Sequence, residues 1–400
     1  MASNVTMLRK RTSMTQEELS SRIGISRRAL SSIEQSIAIP SVDIALKLAS
    51  ILNTTVEELF TVESNANVQE TGLAEQSKPT SIEMSQRDAW SKFRFIDLFA
   101  GIGGIRLGFE AVGGTCVFSS EFDEDACKTY EANFGEHPFG DITKIDATSI
   151  PDFDILLGGF PCQAFSIIGK KDGFANETCG TLFFDIERIL GVKRPPAFML
   201  ENVRNLTAHD GGNTFRVILE HLTALGYHVH YKVLNALDYG VPQKRERIII
   251  VGFLDDIDFT FPRPIPIEQR LTLSDILESS VDHKYYVRDA IKESRVSRLN
   301  DKQYPRPYIS HENMAGSVTP HPYSSALRAG ASANYILIND ERRPTEREML
   351  RIQGFPDTFK VVVPYGKLRK QCGNSVAVPM IRAVATEMLN ALHRHETVKL

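Results

Sequence analysis

Cys162 stands in Gly158-Gly159-Phe160-Pro161-Cys162-Gln163, directly after the apolar run Asp154-Ile155-Leu156-Leu157, so the chain presents one thiol on a sharp turn at the carboxyl end of a strand. Glu201 opens Glu201-Asn202-Val203 after a second such run, Ala197-Phe198-Met199-Leu200. A thiol and a carboxylate facing one crevice suit covalent catalysis. The thiolate is the nucleophile, and a partly desolvated carboxyl, its pKa raised, serves as an acid near neutrality. A free thiol titrates near about 8.5, so Cys162 needs a helix N-terminus or neighbouring cations to ionise. Arg245 and Arg247 in Gln243-Lys244-Arg245-Glu246-Arg247, just ahead of the strand Ile248-Ile249-Ile250-Val251, can supply that charge. The competing readings are a buried structural thiol, a surface carboxylate in an ion pair and a solvated basic run. The Gly, Gly, Pro and Gln around Cys162 and the apolar strand before Glu201 argue against the first two.

A second set of residues suits a small ligand. Asp97-Leu98-Phe99-Ala100-Gly101-Ile102-Gly103-Gly104 follows a strand, and its glycines let a ligand approach the main chain. Glu121, at the end of the next strand, can bind two ribose hydroxyls. A nicotinamide-dinucleotide fingerprint needs a third glycine at position 106, where the chain has Arg106. The ligand expected is therefore an adenosine compound without a pyrophosphate, and Gly140-Asp141-Ile142, after a third strand, can offer a carboxylate to the adenine amine. The alternative is a tight structural turn.

These residues require a scaffold that brings strand ends together. From about Lys92 the chain alternates short β-rich runs, at Arg94 to Phe99, Cys116 to Ser120, Asp154 to Leu157, Ala197 to Leu200 and Arg247 to Phe253, with helix-length stretches. That layout predicts an α/β fold with a doubly wound sheet, whose ligands bind outside the carboxyl ends of the strands. Composition shifts near residue 62, and 63–91 reads as a polar linker between this module (92–400) and an all-α module at 1–62. In the smaller module Thr15 and Glu18 form a capping box, Leu19 and Ile23 follow at helical spacing, Gly24 ends that helix, Ser26 caps the next over Leu30 and Ile33, and Ser41 caps another. The spacing Leu19, Ile23, Gly24, Ile25, Leu30, Ile33 resembles the helix-turn-helix of the lambda-repressor and Cro family, with Ser20 where a small Ala is usual. That resemblance implies a second helix in the DNA major groove, reading base edges with Ser26, Arg27, Arg28 and Ser31. A helical bundle serving only dimerisation is the alternative.

Composition bounds the rest. The 400 residues carry a net charge of −4, which argues against a protein that coats polyanions but leaves room for a local basic groove. The five cysteines, Cys116, Cys127, Cys162, Cys179 and Cys372, lack metal-type pairing and favour a reduced intracellular chain without a metal site. No signal core or membrane-length apolar run occurs, so the cytoplasm is the expected compartment.

The order of motifs in the larger module, from Asp97–Gly104 through Pro161-Cys162-Gln163, Glu201-Asn202-Val203, Gln243–Arg247 and Arg351-Ile352-Gln353-Gly354-Phe355-Pro356 to Gly373-Asn374-Ser375-Val376-Ala377-Val378-Pro379, resembles the DNA cytosine-5 methyltransferases. The resemblance implies an S-adenosylmethionine-dependent methyltransferase sheet, with a core at 92–257 and 370–400 and a smaller target-recognition domain at 258–344. It implies that the target cytosine flips out of the duplex, that Cys162 adds to ring carbon 6, that Glu201 protonates the ring nitrogen, and that Arg245 binds the cytosine carbonyl with Arg247 in support. S-adenosyl-L-methionine would be held by Phe99, Gly101, Gly103, Gly104, Glu121, Phe122, Asp141, Pro161, Asn374 and Val376, so the last segment must fold back against the first strand. Within 258–344, Arg328 is the candidate for a bidentate contact to guanine. The partners implied are double-stranded DNA, both target site and operator, and a cognate restriction endonuclease. Methylation would be carried out by a monomer and operator binding by a dimer. Three functions compete: a DNA methyltransferase of a restriction-modification system that represses its own operon, a transcription regulator on an inactive methyltransferase scaffold, and an RNA cytosine-5 methyltransferase.

Overall fold

Hydrophobic residues on both faces of consecutive strands force this chain to cover a sheet from two sides. In the computed structural model the described residues are 2–12, 14–34, 40, 42–52, 54–55, 59–61, 90, 92–161, 182–299 and 304–399. The chain divides into two units, Met1–Lys78 and Pro79–Leu400. Cys162, Cys179, Ser41 and nearly all of the expected linker lie outside the described residues.

In the first unit, helices Val5–Arg11, Gln16–Ile23, Arg27–Glu34 and Val42–Leu52 enclose a core of Leu19, Ile23, Leu30, Ile33, Leu48 and Leu52. A two-residue pairing of β1 (Ala2–Ser3) with β2 (Phe60–Thr61) joins its ends. The capping box at Thr15 forms, with the Glu18 N–H donating to Thr15 Oγ1 at 3.2 Å and the Thr15 N–H to Glu18 Oε2 at 2.7 Å. Gly24 takes the left-handed C-cap conformation, and Ser26 Oγ accepts from the Ala29 N–H at 3.1 Å, so the turn between the second and third helices is built as the sequence implies. The N-terminal helix has no counterpart in the sequence reading. Its Arg9 pairs with the buried Glu34 at 2.6 Å and ties it to the end of the third helix.

In the second unit β3 (Phe93–Leu98), β4 (Gly114–Ser120), β5 (Ile155–Gly158), β6 (Ala197–Val203), β7 (His228–Asn235) and β9 (Glu246–Phe253) form one sheet in the order β4-β3-β5-β6-β9-β7. The first four run parallel, and β9 is antiparallel to both β6 and β7. One face packs Phe93, Phe95, Leu157, Met199 and Val251 against the C-terminal helix Val378–Lys399 through Met380, Ile381, Val384 and Met388. The other packs Ile96, Leu156, Phe198 and Ile250 against helices Leu182–Lys193 and Asn213–Ala224. The sheet is therefore doubly wound, as expected, with a mixed rather than parallel edge. The strand expected before Gly140 is absent: Phe139 makes a single bridge to Ser120, and Asp141 instead caps a short 3₁₀ turn.

The described residues of 258–344 include a three-stranded sheet, β11 (Val318–His321), β10 (Ile309–Glu312) and β13 (Ile336–Ile338), with β10 central. A further short strand, β12 (Ser324–Ser325), runs parallel to β8 (Gln243–Lys244) and stitches this segment to the main domain.

Asp97, on the same face of β3 as Phe93 and Phe95, is fully buried, and among the described residues no side chain donates to either carboxylate oxygen. Burial pushes its pKa from 3.8 to about 7, against the pull of the Arg106 guanidinium. Arg106 is itself engaged by Glu110 at 2.7 Å, by the Tyr130 hydroxyl at 2.9 Å and by Glu136. A carboxyl whose folded pKa is raised contributes stability that is complete below its unfolded pKa and lost as pH rises through the folded one. Asp97→Asn, which mimics the protonated form, is thus expected to stabilise the protein at pH 8 by on the order of 1–4 kcal/mol. The gain should vanish toward pH 4, as read by urea denaturation at both pH values.

Candidate active site

The turn after β3 and the end of β4 build one half of a crevice. Phe99 and Gly101 both adopt positive φ, 57° and 56°, and among the described residues a Cβ added at Gly101 would meet nothing within 4 Å. The turn is therefore open on its outer side. Glu121 braces it: Oε2 accepts from the Gly101 N–H at 2.8 Å, and Oε1 accepts from the Phe122 and Asp123 N–H groups at 2.9 and 2.8 Å. Three of its roughly four lone-pair sites are used, which leaves room for a hydroxyl donor. Phe122 is 78% exposed at the rim. Asp141 accepts from the Thr143 N–H and hydroxyl at 3.1 and 2.8 Å, which hold its carboxyl below the ordinary range.

The C-terminal segment closes this half. A Cβ on Gly104 would lie 2.6 Å from Ser375 Oγ and 3.0 Å from Val376 Cγ2, so residues 375–376 fold back onto the start of helix Gly104–Glu110, and a side chain at 104 would have to displace the Ser375 hydroxyl. Val376 is buried, and Asn374 ends helix Tyr365–Asn374 with its side chain exposed. The set fits an adenosine-bearing ligand: a glycine turn open to one side, a carboxylate with spare acceptor capacity and an exposed aromatic ring at the rim.

The other half arises from strand direction. Because β9 runs antiparallel to β6, its first residues lie beside the last residues of β6, with Arg247 opposite Val203 and Ile249 opposite Glu201. Glu201 and Arg247 are then diagonal neighbours on one face. Their side chains meet in an ion pair, with Arg247 Nε 2.8 Å from Glu201 Oε1. Burial raises the Glu201 pKa, while Arg247 and then Arg245 pull it down. Its other oxygen reaches toward the thiol-bearing turn, since a Cβ on Gly159 would lie 3.7 Å from Glu201 Oε2. Asn202 secures the same turn by donating from Nδ2 to the Phe160 carbonyl at 2.9 Å. Pro161 is exposed at the point where the described residues stop, one residue before Cys162.

Arg245 occupies a different setting from the one expected of a substrate contact. It is 1% exposed, Nη1 donates to the Leu327 carbonyl at 2.9 Å, and Nη2 donates to the carbonyls of Gly373, at 3.0 Å, and Ser375. Burial lowers its pKa to about 9, with Arg247 adding to the effect. Gln243, wholly buried, donates to the Ile352 carbonyl at 3.0 Å and to Gln353 Oε1 at 2.9 Å, and accepts from the Leu327 N–H at 3.0 Å. Gln353 in turn donates to the Cys372 carbonyl at 2.6 Å. Gln243, Arg245 and Gln353 thus pin three distant segments together. Asn202, Gln243 and Gln353 stood inside the sequence motifs without a role, and their side-chain amides, able to give and accept at once, are the signal that marks such positions.

Of the nucleic-acid candidates, Ser26 and Arg27 are exposed at the start of helix Arg27–Glu34, Ser31 is half-buried, and the Arg28 side chain lies outside the described residues. Arg328 is exposed three residues beyond β12, and Lys244, paired with Ser325 on β12, is a second exposed cation that the sequence reading left without a role. Among the described residues no group of three or more His, Cys, Asp or Glu could hold a metal ion, and no helix is long and apolar enough to cross a membrane.

Residues 93–390 match the family model for C-5 cytosine-specific DNA methylase, and residues 6–59 match that for helix-turn-helix. The chain is 58% identical over 304 residues to the type II methyltransferase M.HaeII of Haemophilus aegyptius, covering 76% of this chain and 94% of that protein. It is 58% identical over 293 residues to the type II methyltransferase M.NgoBI of Neisseria gonorrhoeae, covering 73% and 91%. Among solved structures, a DNMT2 variant of Spodoptera frugiperda superposes with a TM-score of 0.57 at 20% identity, over 75% of this chain and 99% of that one. At that identity the likeness concerns the fold.

Proposed function

The chain belongs to the C-5 cytosine-specific DNA methylase family, and from that premise we propose that it methylates carbon 5 of a flipped cytosine within a short double-stranded DNA sequence, protecting that DNA from a partner restriction endonuclease. The observation that carries this reading is the meeting of Glu201, Arg247 and the Asn202-anchored turn at one edge of the sheet, beside the glycine turn and the folded-back C-terminal segment. Relatives 42–58% identical are all type II methyltransferases, which favours DNA over RNA as the substrate.

S-adenosylmethionine supplies the methyl group when it is bound. Glu121 would hold its ribose hydroxyls, Phe122 would cover the adenine ring, Asp141 would face the amine, and the turn from Phe99 to Gly104 with Pro161, Asn374 and Val376 would line the remainder. A base enters the crevice only outside the stack, because carbon 6 and ring nitrogen 3 are unreachable within a duplex. Cys162 Sγ, as thiolate, bonds to carbon 6, and Glu201 delivers its proton to nitrogen 3, so the ring's electron pair collects at carbon 5. Burial supports that proton transfer by keeping the carboxyl protonated to higher pH than in water. Once carbon 5 carries the methyl group, its proton passes to water in the crevice, and return of the nitrogen 3 proton to Glu201 accompanies re-formation of the 5,6 double bond and departure of Cys162 as thiolate. Arg247 orients Glu201 and is the better placed of the two arginines to meet the cytosine carbonyl. The terminal nitrogens of Arg245 are committed to main-chain carbonyls, so its role is to hold the pocket wall.

We assign the first unit to repression of the protein's own operon, through Ser26, Arg27, Arg28 and Ser31 on a palindromic operator bound by a dimer, while methylation needs one copy. Both activities would take place on cytoplasmic DNA.

Modified-base sequencing of genomic DNA from a host expressing the wild-type chain should reveal 5-methylcytosine at one short sequence. Cys162→Ala should erase the mark while the purified variant still binds that sequence; turnover by the variant would remove Cys162 as nucleophile. For the first unit, Arg27→Ala with Arg28→Ala should weaken binding to the DNA upstream of the gene by roughly 10-fold or more and leave methylation rates nearly unchanged. An equal fall in both would mean that the units do not act separately.

A further inference from the structure

Arg328 is an exposed arginine with no carboxylate partner among the described residues, yet its guanidinium is held in place. It lies over the Tyr335 ring at 5.0 Å from the centroid, and Nη2 is 3.3 Å from His311 Nε2. The His311 ring stands at 90° to Tyr335, with centroids 6.1 Å apart, so the two rings form an inside corner around the arginine. The Arg328 main-chain N–H donates to the Tyr335 hydroxyl at 3.0 Å, which ties the ring that supports the guanidinium to the backbone that carries it. Burial, followed by the charge of Arg328, lowers the His311 pKa and keeps the imidazole neutral, able to accept. One N–H of Nη2 is spent on His311, and four of the five guanidinium donors stay available.

The residue before it is locked to the catalytic edge. Leu327 gives its N–H to Gln243 and its carbonyl to Arg245, and the next residue is pressed against the C-terminal segment, where a Cβ on Gly373 would come within 2.2 Å of the Ala329 nitrogen. Gln243 and Arg245 immediately precede Arg247, which grips Glu201. A planar donor fork therefore stands at a set offset from the carboxyl assigned to the target cytosine.

We propose that Arg328 reads a guanine of the recognition sequence through its O6 and N7 acceptors, with His311 and Tyr335 as the residues that position it. This rests on the reading of 258–344 as the DNA-facing segment. Guanine is favoured over phosphate because a guanidinium already restrained in its plane matches a bidentate edge, whereas a phosphate contact needs only a mobile charge. The restraint lowers the entropy lost on contact.

Once the modified sequence is known, duplexes carrying 7-deazaguanine at each guanine in turn provide the test, since that base lacks N7. Wild-type kcat/KM should fall roughly 10- to 100-fold at one guanine. Arg328→Ala should be slow on the natural duplex and show no further penalty at that same position. His311→Gln, which keeps an acceptor, should retain most of the penalty, whereas His311→Leu should lose it, with the change in KM rather than kcat. Melting of the Arg328→Ala variant should stay near wild type, because that side chain is exposed, and the two His311 variants are compared with each other at matched melting temperature. If wild-type enzyme methylates the site with no 7-deazaguanine penalty, or if Arg328→Ala slows every sequence equally and lowers the salt slope by about one, Arg328 is a phosphate contact and the inference fails. A wild-type chain that methylates no cytosine would instead overturn the function on which it rests.

Discussion

A single buried guanidinium holds this enzyme's crevice together. Arg245 is enclosed on all sides, and its terminal nitrogens bind the carbonyls of Leu327, Gly373 and Ser375, residues that reach it from segment 258–344 and from the C-terminal fold-back. Burying a cation is costly, and hydrogen bonds to several carbonyl dipoles offset much of that cost. Gln243 and Gln353 continue the arrangement with neutral amides. These polar ties reinforce the core that Ile102, Leu327, Ile352, Cys372 and Val378 share, where β12 and β8 contribute only two residue pairs.

The sheet supplies the second constraint. Parallel β3, β4, β5 and β6 present their carboxyl ends on one edge, and the reversed β9 brings its amino end to the same edge. Glycine turn, thiol-bearing turn, carboxylate and arginine thus converge although their sequence positions span residues 97 to 247. Strand polarity does for this site what proximity in sequence cannot.

Much of this was legible in the chain itself. Apolar runs located five strands to within three residues at each end, because strands buried on both faces read as continuous hydrophobic stretches. β7 escaped notice: His228-Val229-His230-Tyr231-Lys232-Val233-Leu234-Asn235 is an edge strand with much of its surface in solvent, so its pattern is mixed. The expected strand before Gly140 shrank to one bridge, as the polar residues of 135–138 offer little to bury. The chemistry-bearing motifs were visible, but the division of labour between Arg245 and Arg247 was not. Two arginines two residues apart look alike in sequence. Which one is sealed depends on Leu327 and Gly373, which arrive from far along the chain. The corner formed by His311 and Tyr335 was hidden for the same reason, since His311 lies on β10 and Tyr335 just before β13, and the two meet only when those strands pair.

The account stands on one covalent event at this edge: a bond between Cys162 and carbon 6 of a cytosine, assisted by Glu201. The most direct measurement is mass spectrometry of denatured protein after incubation with S-adenosylmethionine and a duplex bearing 5-fluorocytosine at the methylated position, because fluorine cannot leave as a proton does. The account predicts a stable protein–DNA adduct that maps to the peptide containing Cys162 and is absent in Cys162→Ala. An enzyme that methylates the natural duplex yet forms no adduct, or forms one at another residue, would contradict it.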